Sequence, residues 1–268
     1  MASFPVIQTT SNSSATSTTT HNVSMPSGIA AGDKLVVFFV CDGGRTVNTP
    51  TGWTKTVDLA EDSGGLLFRL VIYTKTAAGS DTISVTTSGN TDSAHAVYRY
   101  VTTGGFELAT AISASISTSP NPPSLTPSGG SQKYKWISVV ATRPNITAYP
   151  AGYTNNQVKN EASNFTVGVA TRDNETSSED PGVFTIASSD RWITATVALE
   201  EQEDVVGSFD IITQTSEIFQ PSIDFPANAT FTLISSTSQI FEPQTKVSGI
   251  TRWTNTGKGN KIWSNQKK

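Results

Sequence analysis

An apolar run with no polar face is the feature that most restricts how this chain can fold. Leu35–Cys41 is apolar at every position and is bounded by turn residues on both sides. A run this short with both faces apolar is typical of a β-strand buried on both sides. A second strong strand pattern, Lys133–Thr142, stands in the other half of the chain. The two runs predict central strands of a β domain.

Composition supports the same class. Only 15% of the residues are charged, and the chain contains 20 Gly and 13 Pro. Exposed helix faces usually carry more Glu, Lys and Arg, and no segment has a convincing helical pattern. We predict an all-β protein: an antiparallel β-sandwich, jelly-roll-like and built from two similar halves, followed by short β repeats and an extended C-terminal tail.

The order of the elements repeats along the chain. The strand that begins at Lys34 leads to a Pro-X-Gly-aromatic-Thr pattern at Pro50–Thr54, and the strand that begins near Lys135 leads to the same pattern at Pro150–Thr154. We interpret this as an internal repeat of two four-strand halves that pack face to face as one sandwich. Chance similarity among strands of like composition is the alternative.

The aromatic residue of each pattern has two interpretations. Pro and Gly favour a tight turn, after which Trp53 or Tyr153 can pack on the sheet and bury on the order of 200 Å². The leading prediction is therefore core anchoring. The alternative is that Trp53 and Tyr153 are exposed platforms that stack on sugar rings.

The chain changes character after the charge run Glu200–Asp204. Phe209–Pro221 recurs without gaps as Phe231–Pro243, an offset of 22 residues. A unit this short has too little apolar surface to fold alone, so we expect it to dock on the main domain, on its sister repeat or on another chain. Its exposed strand edges favour pairing with a partner strand. The expected interface residues are Ile218, Phe219, Ile240 and Phe241.

The last residues repeat on a smaller scale. Trp253-Thr254-Asn255 is echoed by Trp263-Ser264-Asn265, and we predict that Trp253 and Trp263 anchor an interface. A flexible tail whose Trp residues fold back on the domain is the alternative. The predicted domains are 1–203, the sandwich body; 204–250, two 22-residue β repeats; and 251–268, the tail with Trp, Asn and Lys.

No catalytic constellation stands out among the titratable residues. The two histidines, His21 and His95, lack the spacing of metal ligands, and Cys41 lies in an apolar strand that would raise its pKa. We predict no catalytic residues, no cofactor and no metal. The one candidate for Ca²⁺ is the acidic loop around Asp173, Glu179 and Asp180, with a solvated surface loop as the default.

Charge and hydropathy exclude two classes of partner. The net charge is −4 and the sequence pI is about 5.2, whereas binding to phosphates needs clustered Lys and Arg. The longest apolar run is about seven residues, far short of a membrane span. We expect neither nucleic acid nor membrane as a partner, and no secretory signal is expected.

The turn-rich segment Met25–Val37, followed by Pro50–Thr54, resembles a segment common in tail-associated and other virion proteins of double-stranded DNA bacteriophages. The Ile-Phe-x-Pro repeats at Ile218–Pro221 and Ile240–Pro243, and the Trp-Thr/Ser-Asn tail, are similar to modules of such proteins. The likeness covers residues 23–200 and 208–268. Its motifs are structural, so the resemblance brings no catalytic residue with it.

The resemblance implies a non-enzymatic virion structural protein of the tail, fibre or baseplate, located in the virion and assembled in the host cytoplasm. Its expected partners are other virion proteins and copies of itself. The alternatives are a capsid decoration protein and a carbohydrate-binding module that recognises a host surface glycan. A depolymerase that uses loop carboxylates, such as Asp58 and Glu61, is a third hypothesis.

Overall fold

The computed structural model describes residues 3–61, 68–102, 104–112, 116–161 and 164–201, and the backbone of two short strands near the C-terminus. The chain divides into two compact units, one formed by Ala2–Glu203 and the other by Asp204–Lys268 with Met1. The described residues contain no helix, and hence none that could span a membrane.

Two five-stranded antiparallel sheets form the body of the first unit. The first sheet contains β1 (Val6–Val23), β2 (Lys34–Cys41), β3 (Thr54–Glu61), β4 (Phe68–Thr76) and β5 (Ile83–Val101). The second sheet contains β6 (Phe106–Ile112), β7 (Gln132–Thr142), β9 (Thr154–Glu161), β10 (Phe165–Thr176) and β12 (Ile193–Leu199). Two short strands of the second half, β8 (Ile146–Ala148) and β11 (Thr185–Ile186), pair with each other as a separate ribbon.

Both sheets have the same strand order. The first is ordered β1-β5-β2-β4-β3 and the second β6-β12-β7-β10-β9. If the five strands of each sheet are numbered in chain order, leaving out β8 and β11, both sheets have the order first, fifth, second, fourth, third. Each half of the chain therefore forms one complete sheet with the same connectivity, in agreement with the two similar halves expected from the repeated pattern.

The structure differs from the sequence prediction in two details. Each sheet has five strands rather than four, because an edge strand is added to each: the long polar strand β1 in the first and β6 in the second. The connectivity is also not that of a jelly roll, whose two Greek keys share their strands between the sheets. Here the chain passes from one sheet to the other once, between Val101 and Phe106. The structure agrees with the antiparallel β-sandwich and does not confirm the jelly-roll detail.

The core of the sandwich lies between the two sheets. Alternate residues of each strand point inward, so Phe38 and Leu70 of the first sheet belong to one apolar cluster with Ile137, Val169 and Val197 of the second. All five side chains are fully buried. Each such side chain stabilises the fold by about 1.5–3 kcal/mol through removal from water, which makes this layer the main attachment between the halves.

The outer face of the first sheet is covered by its own longest strands. β1 bends near Ser17, whose φ is 43°, and its register with β5 shifts on both sides of Thr18. Beyond the bend, residues 18–23 of β1 and 83–87 of β5 form what we call the covering ribbon. Apolar side chains of this ribbon pack on the outer face of the sheet; they are Val23, Ile83 and Val85.

The outer face of the second sheet is covered by loops and by the short β8–β11 ribbon rather than by extensions of its own strands. Leu125 and Glu179 exchange backbone hydrogen bonds of 2.9 and 3.0 Å, which ties two covering loops together. A Cβ atom added to Gly168 would lie 1.9 Å from the Cδ1 atom of Ile146. The cover therefore sits directly on the sheet at this glycine.

In the second unit, the structure describes only β13 (Trp253–Asn255) and β14 (Trp263–Asn265). These two strands pair antiparallel, with Trp253 opposite Asn265 and Asn255 opposite Trp263. The two short sequence repeats of the tail are thus each other's pairing partners. The longer repeats, Phe209–Pro221 and Phe231–Pro243, lie outside the described residues.

Candidate functional site

The repeated Pro-X-Gly-aromatic pattern forms the same tight turn in both halves. The N–H of Trp53 donates to the carbonyl of Pro50 at 3.1 Å, and the N–H of Tyr153 donates to the carbonyl of Pro150 at 3.2 Å. The glycine before each aromatic residue has φ of +78°, a left-handed conformation that glycine adopts at little cost. The turn directs each ring onto the outer face of its sheet.

In the first half, a cation and an acid hold the ring of Trp53 in place. Thr54 lies opposite Thr74 in the β3–β4 pair, so the next residue of β4, Lys75, reaches the ring. Its Nζ atom lies 5.7 Å from the ring centroid and 2.6 Å from Oδ1 of Asp81. The hydrogen bond from Lys75 is the main cause of a lowered pKa of Asp81.

In the second half, the aromatic of the turn, a cation and an acid are Tyr153, Arg172 and Glu179. Thr154 lies opposite Thr171, which places Arg172 at the position equivalent to Lys75. Arg172 donates to Oε1 of Glu179 at 3.0 Å, and the hydroxyl of Tyr153 lies 3.3 Å from the same oxygen. Burial, followed by the charge of Glu179, raises the pKa of Tyr153. In each sheet, an aromatic side chain of the turn is therefore buried next to an ion pair of a cation and an acid.

This geometry does not favour a sugar-stacking role for the two rings. Trp53 is 6% exposed and Tyr153 is 7% exposed, whereas stacking on a sugar needs an open ring face. The burial of both residues argues against the alternative in which Trp53 and Tyr153 stack on sugar rings. The leading prediction from sequence, core anchoring, agrees with the structure.

The acidic loop considered for Ca²⁺ has its carboxylates divided among other partners. Glu179 is bound by Arg172, Tyr153 and Asn174, Asp173 pairs with Lys135, and Asp180 is exposed. In the residues that the structure describes, no group of three or more His, Cys, Asp or Glu side chains could hold a metal ion. The structure thus does not bring Asp173, Glu179 and Asp180 together as ligands.

The carboxylates of β3 are likewise held by cations. Asp58 lies 2.5 Å from the Nζ atom of Lys55 and also pairs with Arg69. Glu61 is 2% exposed, and its carboxylate lies 3.4 Å from a guanidinium nitrogen of Arg191, two residues before β12. These contacts assign Asp58 and Glu61 to packing at the sheet edge.

A buried chain of hydrogen-bonded side chains contains both histidines. His95 contacts the hydroxyl of Ser13 through Nδ1 at 3.0 Å and that of Ser93 through Nε2 at 2.7 Å. Ser93 also lies 2.7 Å from Nδ1 of His21, whose Nε2 lies 3.1 Å from the hydroxyl of Thr87. We call these five side chains the histidine network. It occupies the place where the covering ribbon begins, and the ring of His95 stacks on Phe39 at 5.0 Å.

The backbone fixes the direction of every hydrogen bond in this network. At one end the hydroxyl of Thr87 donates to the carbonyl of Gly89 at 3.0 Å, so its oxygen accepts the Nε2 proton of His21. A neutral histidine carries one ring proton. Nδ1 of His21 therefore accepts from Ser93, whose oxygen in turn accepts from His95.

The other end of the network agrees with this direction. The N–H of Ser24 donates to Oγ of Ser13 at 2.9 Å, and the hydroxyl of Ser13 donates to Nδ1 of His95. With both rings neutral, each carries its proton on Nε2 and every ring nitrogen has a hydroxyl partner.

Burial is the largest cause of the lowered pKa of both rings. The pKa of His95 is lowered to about 3, with smaller contributions from His21 and Lys159. The pKa of His21 is also lowered, although the nearby charge of Asp92 opposes the shift. The two histidines therefore stay neutral in the folded protein at physiological pH.

A serine beside a histidine is also the arrangement of an activated nucleophile. In this network Ser93, His21 and His95 are all fully buried, and Ser93 donates its proton to one histidine while accepting from the other. The carboxylate of Asp92 is bound to the N–H of Ser17 and to the amide of Asn164 rather than to an imidazole. The arrangement holds the ribbon on the sheet.

Cys41 is the last of the chemically reactive side chains. It is fully buried, and burial raises the pKa of its thiol to about 12. A thiol with this pKa is not a nucleophile near neutral pH, as expected from its position in an apolar strand.

The edges of the sheets are the remaining places where a partner could bind, and three of the four are protected. The β1 and β9 edges face each other, since Asn12 donates to Gln157 at 3.2 Å and Thr16 donates to Glu161. The β3 edge is interrupted by a register shift after Lys55 and carries charged side chains. Bulges and charges of this kind are the usual means by which proteins block edge-to-edge pairing.

The fourth edge, β6, has none of these protections. Its residues Phe106–Ile112 pair with β12 without a register shift, and among the described residues β6 pairs on that side alone. Glu107 is its one charged residue. Every residue of the strand is partly or fully exposed, and Ile112 is 41% exposed.

No protein-family model matches this chain, and no match was found among curated proteins or solved structures.

The interface residues predicted from sequence fall in the C-terminal unit. Ile218, Phe219, Ile240 and Phe241 lie outside the described residues, and for Trp253 and Trp263 the structure describes the backbone pairing alone. Sequence reasoning missed the β6 edge and the histidine network. The lack of charge after Glu107 was the available signal for the edge, whereas the partners of the histidines are distant in sequence.

Proposed function

We propose that this protein is a non-enzymatic structural subunit that works by assembling with copies of itself and with other chains. The observation that carries the proposal is the β6 edge, which has no register shift, carries one charged residue and is unpaired among the described residues, while the other three sheet edges are blocked. An edge left in this state in a protein that protects its other edges is a pairing surface.

The setting proposed for this assembly is the virion of a double-stranded DNA bacteriophage, in the tail, fibre or baseplate. The resemblance of Met25–Val37 and of the Ile-Phe-x-Pro repeats to virion modules supports this setting. The repeats also support assembly, because units of this size have too little apolar surface to be stable alone.

The experiment that tests assembly is a charge placed on the open edge of the full-length chain. Ala109→Lys puts an ammonium group in the middle of β6, and Asn156→Lys puts the same group on the exposed but protected β9 edge. Light scattering after size-exclusion chromatography should give a reduced mass for Ala109→Lys and an unchanged mass for Asn156→Lys. Equal masses for both variants and the parent protein would contradict the proposal that β6 takes part in assembly.

The virion setting has its own test. Antibodies raised against the sandwich body, applied to purified particles from a culture that expresses this chain, should label one structure of the particle in electron micrographs. Particles that contain none of this chain by labelling and by mass spectrometry would contradict the setting and leave the assembly test unaffected.

A further inference from the structure

The open edge of β6 has a sequence that can pair with itself. An antiparallel pair of two β6 strands centred on Ala109 places Phe106 opposite Ile112 of the copy and Leu108 opposite Thr110. Glu107 then faces Ala111, so the two carboxylates are not opposite each other. Like charges directly opposite are destabilising, and this register avoids them.

The same register covers the apolar surface that β6 leaves in water. Phe106 and Leu108 pack against the core from the rim of the sandwich and remain partly exposed. Ile112 is 41% exposed and Ile116, just beyond the strand, is 61% exposed. A second β6 strand would bring an apolar side chain beside Phe106 and Ile112, and the pair would extend the inner face of each core.

The state of the other edges sets the size of the assembly formed in this way. At the far edge of the same sheet, β9 contains Asn155 with φ of 50° and contacts β1 through Gln157. The edges of the first sheet are also blocked. With β6 as the one unpaired edge of the two sheets among the described residues, pairing through it forms a closed dimer rather than a filament, because a two-fold interface uses the same edge on both subunits.

We infer that β6 binds the β6 strand of a second copy of this chain, antiparallel and centred on Ala109, to form a closed dimer with one continuous ten-stranded sheet. The inference rests on the proposed assembly function and names its partner. Each strand contributes a pairing length of about 23 Å.

Single-cysteine variants of the full-length protein test the register. The one native cysteine, Cys41, is buried with a raised pKa, so it does not compete. Cβ atoms of directly opposed residues lie about 4.5–5.5 Å apart, and Ala109→Cys should therefore form a disulfide-linked dimer under mild oxidation. Glu107→Cys should not, because its copies would be about 13 Å apart along the strands.

A double variant and a control complete the experiment. Glu107→Cys combined with Ala111→Cys should restore the linked dimer, and Asn156→Cys on β9 should stay monomeric on a non-reducing gel. Linkage of Glu107→Cys alone without linkage of Ala109→Cys would overturn the register.

The two experiments distinguish whether β6 takes part in assembly at all from whether its partner is the β6 strand of a second copy. If Ala109→Lys lowers the assembled mass but Ala109→Cys gives no linked dimer, the edge binds a strand other than β6, such as a C-terminal repeat or another protein. That result overturns the inference and leaves the proposed function standing. If neither variant differs from the parent, both are overturned.

Discussion

The hydroxyl oxygen of Ser93 lies 2.7 Å from Nε2 of His95, and both side chains are fully buried. This contact is the middle of a hydrogen-bonded chain whose two ends are a backbone N–H and a backbone carbonyl. The chain is complete when the two histidines are neutral, and burial makes a charge on either ring costly. The network makes the attachment of the covering ribbon sensitive to pH.

We expect the protein to lose stability as the pH falls below about 6.5. His95 has a folded pKa of about 3 against an ordinary value of 6.5, so between these values the unfolded chain binds more protons than the folded one. Its contribution is fully present above pH 6.5 and is lost at about 1.4 kcal/mol per pH unit below it. Because the pKa of His21 is also lowered, it adds to the loss in the upper part of this range.

Urea denaturation between pH 7.5 and 5 measures this dependence while most carboxylates remain ionised. His95→Gln, which removes the imidazole with the larger shift, should be less stable at pH 7.5 but show a smaller slope. Equal slopes for the two proteins would contradict the neutral assignment of His95.

Removal of the central hydroxyl should be costly. Ser93→Ala leaves Nδ1 of His21 and Nε2 of His95 without their partner, and each unsatisfied buried group costs about 1–3 kcal/mol. The free energy of unfolding should therefore fall by at least about 2 kcal/mol. Ser84→Ala, an exposed change on the same strand, serves as the matched control and should lie within about 0.5 kcal/mol of the parent. Similar values for both variants would show that the network contributes little.

The two glycines of the repeated turn should respond alike to substitution. Gly52 and Gly152 share φ of +78°, and a Cβ atom at either meets nothing closer than 3.4 Å. The cost of Gly52→Ala and of Gly152→Ala is therefore a backbone cost of about 1–2 kcal/mol, measurable as a lower Tm. Thr51→Ala is the control in the same turn. A clear difference between the two glycine variants would argue against equivalent anchors.

The thiol of Cys41 should be unreactive until the sandwich opens. With full burial and a pKa of about 12, it should resist iodoacetamide at pH 8 and react stoichiometrically in denaturant, as followed by mass spectrometry. Rapid labelling of the folded protein would place the thiol at an accessible surface.

Parts of this architecture were predictable from sequence because they rest on local patterns. The apolar run Leu35–Cys41 identified a central strand, and the spacing to Pro50–Thr54 and Pro150–Thr154 identified the equivalent halves. The turn chemistry of Pro and Gly also favoured buried rings at Trp53 and Tyr153, which the structure confirms.

Other parts depend on registers that no local pattern reveals. Lys75 reaches Trp53 because Thr54 lies opposite Thr74, a pairing fixed by the whole sheet. The length of β1 could not be predicted from the sequence either, because an edge strand rich in Ser and Thr shows no alternation of apolar and polar residues. The histidine network joins residues from Ser13 to His95, so single positions gave no sign of it.

The chain passes from the first sheet to the second once, between Val101 and Phe106. A break at that crossing would interrupt no strand pairing and would leave two pieces, each holding all the hydrogen bonds of one sheet. Each piece would lack a cover for its inner apolar face. In the intact chain, the inner face of the other sheet provides that cover. The halves thus stand to each other as two subunits that share one polypeptide, a pseudo-dimer joined by a few residues of backbone.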